Sequence, residues 1–315
     1  MKKILIISLL AACLFLTACG QSAPAPQTPS ESTYTFTDDL GRTVSVDEPK
    51  RVAALLGSFA QIWILAGGQV CATADDAWDD LALDMPTDTA NLGNTKELNL
   101  ELLLSSEPDF ILASTNTKQN LEWQKILEAS KIPTAYFDVS DFDDYLRLLE
   151  ICTDITGRKD LYQEHGVKVQ GQIKTILEKR AQWLTKNDAP KVLSLVASAS
   201  SVLAKNSKNN VLGEMLYSLG CDNIADSDNS LLENLSIEHI LQENPDYIFI
   251  VQRGDNTEGT KVRVAQLFAE NPAWSQLDAV KNERVYFMEK NLYNLKPNHR
   301  WGEAYEKLEE ILSND

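Results

Sequence analysis

The sequence predicts an α/β protein made of two similar lobes, each with a central parallel-type sheet, joined by a long helix. Predicted strands alternate with predicted helices in both halves of the chain, which favours parallel sheets. Residues 98–113 read LNLELLLSSEPDFILA, and residues 235–250 repeat the pattern as LSIEHILQENPDYIFI. A helical stripe of apolar residues lies between the two halves.

Each copy of the repeat predicts a short helix followed by a buried strand. Asn99 and Ser236 can accept a backbone N–H at the helix start. Glu101 and Glu238 follow in the first turn, where a carboxylate complements the helix dipole. The residue before each proline leaves the α region and ends the helix. The apolar run after each Pro-Asp is typical of a strand buried on both faces.

Residues 1–18 predict an export signal. Lys2 and Lys3 precede an apolar run that is too short to span a membrane, and small residues follow it. The four residues from Leu16 to Cys19 resemble the bacterial lipobox, so Cys19 is predicted to carry a lipid that anchors the chain at the extracytoplasmic face of the cell membrane. The alternative is an ordinary secretory signal that contains a cysteine.

The predicted segment 19–33 is the lipidated cysteine and a flexible tether, because it is rich in proline, alanine and serine and lacks a core-forming pattern. Fully extended, it would reach about 40 Å. Removing residues 1–18 takes away two lysines, which leaves a charge of 27 − 46 = −19. So acidic a surface repels phosphate backbones and anionic headgroups, which excludes nucleic acid as a partner and leaves the lipid as the membrane attachment.

The remaining elements follow in order. We predict an N-terminal lobe at 34–140, linking helices at 141–186 and a C-terminal lobe at 187–315. The first lobe is predicted to contain a hairpin at 34–46, a strand at 51–56, a helix at 59–66, a strand at 70–73 and the first repeat. The link is a helix at 142–156 and a second at 158–186, about 40 Å long if unbroken. The second lobe is predicted to contain a strand at 191–197, a helix at 211–219 and the second repeat.

Cysteines and histidines give little indication of metal chemistry. Cys71, Cys152 and Cys221 are too widely spaced for a disulfide framework, so three buried thiols are the simpler expectation and one disulfide with one free thiol is the alternative. The histidines are far apart in sequence, so neither a bare metal-ion site nor a bound cofactor is predicted. His299 remains a candidate ligand of haem iron, as do Tyr293 and Met288.

Several features together resemble the class III substrate-binding proteins of ABC importers, the family of vitamin B12-, haem- and ferric-siderophore-binding proteins. These are the lipobox, the tether, the opening FTDDLGRTVSV and PKRVAAL, the two L-x-x-E…PD units, the long linking helix and the ending NPAWSQLDAVKNERVYF. The resemblance covers about residues 34–312. It implies a non-enzymatic monomer whose lobes face each other across a ligand cleft, held by a rigid linking helix. It also implies that the protein delivers a metal chelate to a permease and its ATPase.

The same resemblance implies a role for Glu101 and Glu238. In this family one acidic residue per lobe meets arginines of the permease. Each glutamate alone is equally explained as a helix-start acid. Their symmetric placement in the two repeats favours permease docking.

Ligands of α/β sheets bind beyond the carboxyl ends of the strands, which identifies the segments that line the cleft. Eight residues of these segments are predicted to contact the ligand: Ser58, Phe59, Trp78, Asn94, Lys118, Arg253, Tyr293 and Arg300. The aromatic residues offer flat apolar faces, and the cations offer positive charge. The alternatives are a core position for each aromatic residue and a solvated surface position for each cation.

The cations at the predicted cleft favour an anionic ligand in an otherwise acidic protein. An iron–siderophore chelate is therefore the first prediction, a corrinoid the second and haem the third. Two functions of another class are a surface-anchored hydrolase and a structural lipoprotein that binds only protein. The hydrolase has little support because no activated nucleophile or paired acid and base is present among the motifs.

Overall fold

The computed structural model describes residues 33–227 and 229–313. The predicted export signal, Cys19 and the tether up to residue 32 lie outside the described residues. Within the described part of the chain, no helix is long and apolar enough to cross a membrane.

The N-terminal lobe is a hairpin and a five-stranded parallel sheet with helices on both faces. Its elements are β1 (Thr33–Thr37), β2 (Thr43–Asp47), β3 (Val52–Ala54), α1 (Gly57–Leu65), β4 (Val70–Thr73), α2 (Asp76–Asp79), β5 (Ala90–Asn91), α3 (Leu100–Ser105), β6 (Phe110–Ser114), α4 (Lys118–Glu122), α5 (Gln124–Ser130) and β7 (Thr134–Phe137). The strand order is β5-β4-β3-β6-β7, and every pair is parallel.

The linking segment runs through α6 (Phe142–Thr156), α7 (Lys159–Tyr162), a π-helical turn (Gln163–Val167) and α8 (Lys168–Leu184). The bounds of α6 agree with the helix predicted at 142–156, and Gly157 ends it with a positive φ of 71°. The predicted second helix is continuous, but one turn of it is π-helical and contains Gly166. A Cβ at Gly166 would lie 2.8 Å from Leu146 Cδ1, so the glycine allows this turn to pack closely on α6.

The C-terminal lobe repeats the arrangement with one addition. Its elements are β8 (Lys191–Ala197), β9 (Val202–Lys205), α9 (Val211–Ser218), β10 (Asp222–Asn223), α10 (Asn229–Asn234), α11 (Ile237–Glu243), β11 (Tyr247–Gln252), α12 (Thr257–Glu270), α13 (Asp278–Lys281), β12 (Val285–Met288), α14 (Lys290–Tyr293) and α15 (Trp301–Ser313). Its strand order is β10-β8-β11-β12, and these pairs are parallel, in agreement with the predicted parallel sheet. Strand β9 was not predicted, and it pairs antiparallel with β8.

Both copies of the repeat fold as predicted. The Asn99 Oδ1 accepts the Leu102 N–H at 2.9 Å, and the Ser236 Oγ accepts the His239 N–H at 3.5 Å. After each helix, the aspartate of Pro-Asp accepts a backbone N–H at the amino end of the neighbouring strand. Arg51, just before β3, donates to Asp109, and Lys191, the first residue of β8, donates to Asp246. Each aspartate therefore fixes the amino end of its strand against the next.

The apolar core joins the lobes to the linking helices. One cluster of buried side chains includes residues of both sheets, α6, α8 and α15. At its centre, Phe142 of α6 meets Trp301 of α15 edge-on, with ring centroids 6.2 Å apart. Because a large hinge motion would expose this surface to water, the continuous core favours small relative movements of the lobes.

A buried arginine ties α8 to the second lobe. Arg180 is 1% exposed; its Nε donates to the Leu219 carbonyl at 3.1 Å and its Nη1 to the Leu312 carbonyl at 3.4 Å. These carbonyls lie at the ends of α9 and α15, where the helices lack internal donors. Arg180 therefore donates hydrogen bonds to backbone carbonyls at the ends of two helices.

Cys71, Cys152 and Cys221 are free thiols. Burial raises the pKa of the Cys221 thiol to about 12, and it raises that of Cys152 further. Both are therefore held as neutral buried thiols, as predicted, whereas Cys71 is a free thiol that is only partly buried.

Candidate functional site

The carboxyl ends of strands from both lobes meet at a cleft, as the sequence predicts. Segments that follow β6 and β7 approach it from the first lobe. Segments that follow β8, β11 and β12 approach it from the second. Two adjoining pockets occupy this cleft, and both include Arg253 and Asn294 in their walls.

The first, which we call the basic pocket, has a volume of about 250 Å³. It is lined by Asn116, Val139, Ser140, Val196, Lys205, Asn209, Asn210, Val211, Val251, Arg253, Tyr293, Asn294 and Lys296. Among these described residues there are three cations, four asparagines and no carboxylate. In an acidic protein, this is a concentration of positive charge and amide donors.

The three cations of the basic pocket are Lys205, Arg253 and Lys296. Within residues 33–227 and 229–313, none of their side chains has a hydrogen bond or an ion pair. Lys296 is partly buried, and burial lowers the pKa of its ammonium group, with Asp138 and Asp76 acting in the opposite direction. An anion bound here would supply the charge partner that this ammonium group lacks.

The second, the acidic pocket, has a volume of about 210 Å³. It is lined by Asp75, Asp76, Asp79, Asp80, Asn94, Thr95, Lys96, Arg253, Gly254, Asp255, Lys290, Asn294 and Leu295. Lys290 neutralises part of this charge, because its Nζ lies 2.6 Å from Asp80 Oδ1 and 2.7 Å from Asp255 Oδ1.

Asp76 supports the first turn of α1 from the wall of the acidic pocket. Its Oδ1 accepts the Gly57 N–H at 2.8 Å. Burial raises the pKa of Asp76 to about 6; the Gly57 hydrogen bond opposes this, and the charges of Asp75 and Asp80 add to it. The folded protein therefore binds a proton at Asp76 more tightly than the unfolded chain, whose carboxyl has the ordinary pKa of 3.8. The bound proton therefore stabilises the folded protein at low pH, and this stabilisation is lost as the pH rises from 3.8 through about 6.

Replacing Asp76 by asparagine should therefore stabilise the protein at neutral pH. Asparagine keeps an oxygen for the Gly57 N–H and removes the buried charge, so we expect the free energy of unfolding to rise by about 1 to 3 kcal/mol at about pH 7.5. The gain should shrink below about pH 6 and vanish near pH 4. Urea titrations across this range measure it, with Asp79→Asn controlling for loss of one charge. A gain that does not change with pH would contradict the assignment.

Three of the eight predicted ligand contacts line the cleft. Asn94 lies in the acidic pocket, Arg253 borders both pockets, and Tyr293 lines the basic pocket. Tyr293 is only 2% exposed, and its hydroxyl donates to the Ala304 carbonyl at 2.9 Å, so little of the ring is open to a ligand. Contact of these residues with a ligand stays a prediction.

Two predicted contacts belong to the protein interior instead. Helix α1 begins at Gly57, two residues earlier than predicted, which turns Phe59 into the core, where it is fully buried. Ser58 is buried beside it, and its carbonyl accepts the Asn298 Nδ2 at 2.9 Å. Ser58 thus contributes to contact between the lobes, and neither side chain lines the pockets of the cleft.

The remaining three predicted contacts lie outside both pockets. Trp78 is partly buried on α2 and lines neither pocket among the described residues. The Lys118 side chain is 91% exposed and pairs with Glu122 one turn along α4. Arg300 points into a different cavity, of about 720 Å³, between α8 and α15. Its Nε lies 2.7 Å from a carboxylate oxygen of Glu303 in the first turn of α15, so it already has a partner three residues along the chain.

The candidate ligands of haem iron do not offer a free side chain to the cleft. The Tyr293 hydroxyl is engaged, and Met288 is buried in the core. His299 lines the cavity between α8 and α15, opposite His165 at a ring-centroid distance of 6.0 Å. Among the described residues, no three histidine, cysteine or acidic side chains are grouped as a metal ion requires.

Sequence reasoning missed part of the basic pocket. Lys205 ends β9, the antiparallel strand that was not predicted, and Asn209 and Asn210 follow it. A short VLAK run after a serine-rich turn was the available signal for a hairpin with β8. Asp79 and Asp80 were also not predicted to lie at the cleft, although they follow Asp75 and Asp76 closely in the sequence.

Glu101 and Glu238 are exposed in the first turns of α3 and α11. The Ser106 carbonyl at the end of α3 accepts from Arg51, just before β3. The Glu243 carbonyl at the end of α11 accepts from Lys191, at the start of β8. Both helices therefore end at the amino edges of their sheets, and their first turns point towards the cleft side.

Comparisons with known proteins agree with this architecture. Residues 52–292 match the family model described as periplasmic binding protein. The chain is 28% identical over 292 residues to the Fe(3+)-citrate-binding protein YfmC of Bacillus subtilis (strain 168), covering 90% of this chain and 89% of that protein. It is 23% identical over 321 residues to the putative ABC transporter substrate-binding lipoprotein YhfQ of the same strain, covering 94% and 93%.

The fold is also that of solved two-lobed binding proteins. Staphylococcus aureus SirA complexed with staphyloferrin B superposes with a TM-score of 0.67 at 22% identity, over 89% of this chain and 99% of that one. The predicted α/β fold and the resemblance to class III binding proteins are therefore confirmed. Because the family model spans most of both lobes, this chain belongs to the periplasmic binding protein family and is a binding protein, not an enzyme.

Proposed function

We propose that this chain is the extracytoplasmic substrate-binding lipoprotein of an ABC importer, and that it captures an anionic ferric chelate and delivers it to the permease. The observation that carries the proposal is the basic pocket. Three cations without a partner in the described residues, and no carboxylate among those that line the pocket, meet at the cleft of a chain with a strong negative charge.

Electrostatics explains why an anion suits this pocket. A partly desolvated cation interacts more strongly with a bound anion than a solvated cation does. To a bound anion, the ammonium group of Lys296 and the guanidinium group of Arg253 could donate charge-assisted hydrogen bonds, and the neighbouring asparagines could add neutral donors. Ferric complexes of citrate and of carboxylate siderophores present oxygen acceptors and negative charge, which match these donors.

The relatives support the same ligand class. One relative is named for Fe(3+)-citrate, and a solved neighbour holds staphyloferrin B. A corrinoid is the second candidate ligand, because its large neutral ring makes less use of three cations. Haem is third, since the described residues that line the two pockets contain no histidine, methionine or cysteine.

Lipid attachment at Cys19 and docking to a permease and its ATPase complete the proposal. The lipobox-like residues 16–19 support the anchor, as does the name of the relative YhfQ, a putative lipoprotein. The exposed pair Glu101 and Glu238 supports docking. In this proposal the protein acts as a monomer at the extracytoplasmic face of the membrane.

Binding isotherms test the ligand class. Wild-type protein should bind ferric citrate or another anionic ferric siderophore more tightly than cyanocobalamin or haemin. Replacing Arg253 or Lys296 by methionine should weaken this binding by about 10- to 100-fold, because each change removes a charge-assisted hydrogen bond.

Lys174→Met provides the matched control. Lys174 is 75% exposed on α8 and pairs with Glu178, so its loss removes one positive charge away from the cleft. It should leave the dissociation constant unchanged. Tight binding of cyanocobalamin or haemin that is insensitive to both cleft substitutions would overturn the proposal.

A further inference from the structure

Among residues 33–227 and 229–313, side-chain hydrogen bonds cross between the lobes at two places, and the two differ in how far water can reach them. At the first, Asn298 is fully buried and donates to the Ser58 carbonyl and to Gln61 Oε1. At the second, beside the acidic pocket, Lys290 Nζ lies 2.6 Å and 2.8 Å from the two carboxylate oxygens of Asp80. The first contact is shielded from water, whereas the second is made of charges that water can reach.

The second contact is built so that it can open. Asn291 Nδ2 also donates to the Asp80 carbonyl at 2.7 Å, so residues at the start of α14 hold both the backbone and the side chain of Asp80. Lys290 has another partner, Asp255 of its own lobe, at 2.7 Å. If the lobes separate, Lys290 keeps Asp255, so the lysine is not left without a charge partner.

The opposing side of this contact favours closure. Asp80 lies in a run with Asp75, Asp76 and Asp79 on the wall of the acidic pocket. Burial raises the pKa of Asp75, and the charges of Asp79, Asp255 and Asp80 add to this, as expected for crowded carboxylates. In the closed arrangement Lys290 relieves that crowding. The charges therefore favour the closed arrangement, while Asp255, the second partner of Lys290, keeps the free-energy cost of opening low.

We infer that Lys290 and Asp80 form a latch between the lobes, and that opening of this latch controls how fast a ligand enters and leaves the cleft. The acidic pocket adjoins the basic pocket through Arg253 and Asn294, so the latch closes one side of the space in which the chelate is proposed to bind. The part of the inference that concerns ligand exchange rests on the proposed function. The existence of the latch does not depend on the proposed function.

Asp80→Asn is the decisive substitution, because two explanations predict opposite results. If Lys290 acts only through its charge, removing the carboxylate makes the cleft more positive and slows the release of an anionic chelate. If the pair is a latch, the lobes open more often, and ferric citrate should dissociate about 3- to 10-fold faster in stopped-flow measurements. Lys290→Met and the double variant complete the cycle, and the two effects should not add.

Asp255→Asn is the matched control. It removes a carboxylate from the same lysine but keeps the contact between the lobes, so dissociation should not accelerate. Amide hydrogen exchange of α2 in the absence of ligand gives a second measurement, in which Asp80→Asn should raise exchange about 3- to 10-fold. Unchanged exchange in Asp80→Asn, or equal acceleration in Asp255→Asn, would overturn the latch. Failure of the wild-type protein to bind ferric citrate would count against the proposed ligand, and the exchange measurement would still decide the latch.

Discussion

Replacing both Glu101 and Glu238 by arginine is expected to abolish ligand uptake by cells while the purified protein binds its ligand with unchanged affinity. Both side chains are exposed, stand in equivalent first turns of α3 and α11, and lie outside the two cleft pockets. Charges placed this way steer and orient a partner of opposite sign, and reversing them turns attraction into repulsion. Uptake of radiolabelled ferric iron measures the first effect, and binding isotherms measure the second.

Single substitutions and a surface control make this result specific. Each single Glu→Arg variant should lower uptake less than the double variant, because one attractive contact remains. Glu122→Arg changes an exposed acid of α4 that belongs to neither repeat, and it should leave uptake intact. Full uptake by the double variant would exclude the docking role.

Replacing Arg180 by methionine is expected to lower the free energy of unfolding by about 3 to 5 kcal/mol, because it leaves buried polar groups without their cation. The Leu219 and Leu312 carbonyls lose their donor, and Glu309, which is 4% exposed, loses a neighbouring positive charge at 4.0 Å. Chemical denaturation monitored by circular dichroism measures the change.

A double variant separates lost charge compensation from lost packing. Replacing Glu309 by leucine together with Arg180→Met removes both ions, and part of the stability should return. Ligand affinity should stay unchanged in both variants, because Arg180 lies outside the two cleft pockets. A loss below about 1 kcal/mol in the single variant would show that Arg180 does not secure α8 to the second lobe.

Local signals in the sequence were sufficient for most of the fold. Helix α6 begins with a capping box between Asp141 and Asp144 and ends at Gly157, so both of its ends are fixed within a few residues of chain. The repeats were equally clear, since Pro-Asp combines a helix stop with an aspartate that fixes the following strand. Features of this kind depend on neighbours in sequence, and the structure agrees with them.

Contacts within the site depend on residues that are distant in sequence, and there the predictions were less accurate. Lys290 and Arg300 are ten residues apart and have the same charge, yet Lys290 pairs with an aspartate of the other lobe and Arg300 with nearby Glu303 of its own lobe. Only the three-dimensional packing decides which carboxylate each cation pairs with. Phe59 was assigned to the cleft because the start of α1 was placed two residues too late, and a shift of that size rotates a side chain from one helix face to another.

The hairpin at the start of the described chain determines where a membrane anchor would pull. Thr33 pairs with Asp47, which leads directly to the amino end of β3. The chain therefore enters the folded body at the edge of the sheet that faces away from the cleft. An anchor at Cys19 would hold the protein by its far side, so the cleft could face the membrane only after the whole body turned over. In the proposed lipoprotein, much of the roughly 40 Å that the segment before Thr33 could reach if extended would then be used in passing around the lobe, and delivery to the permease would depend on that length.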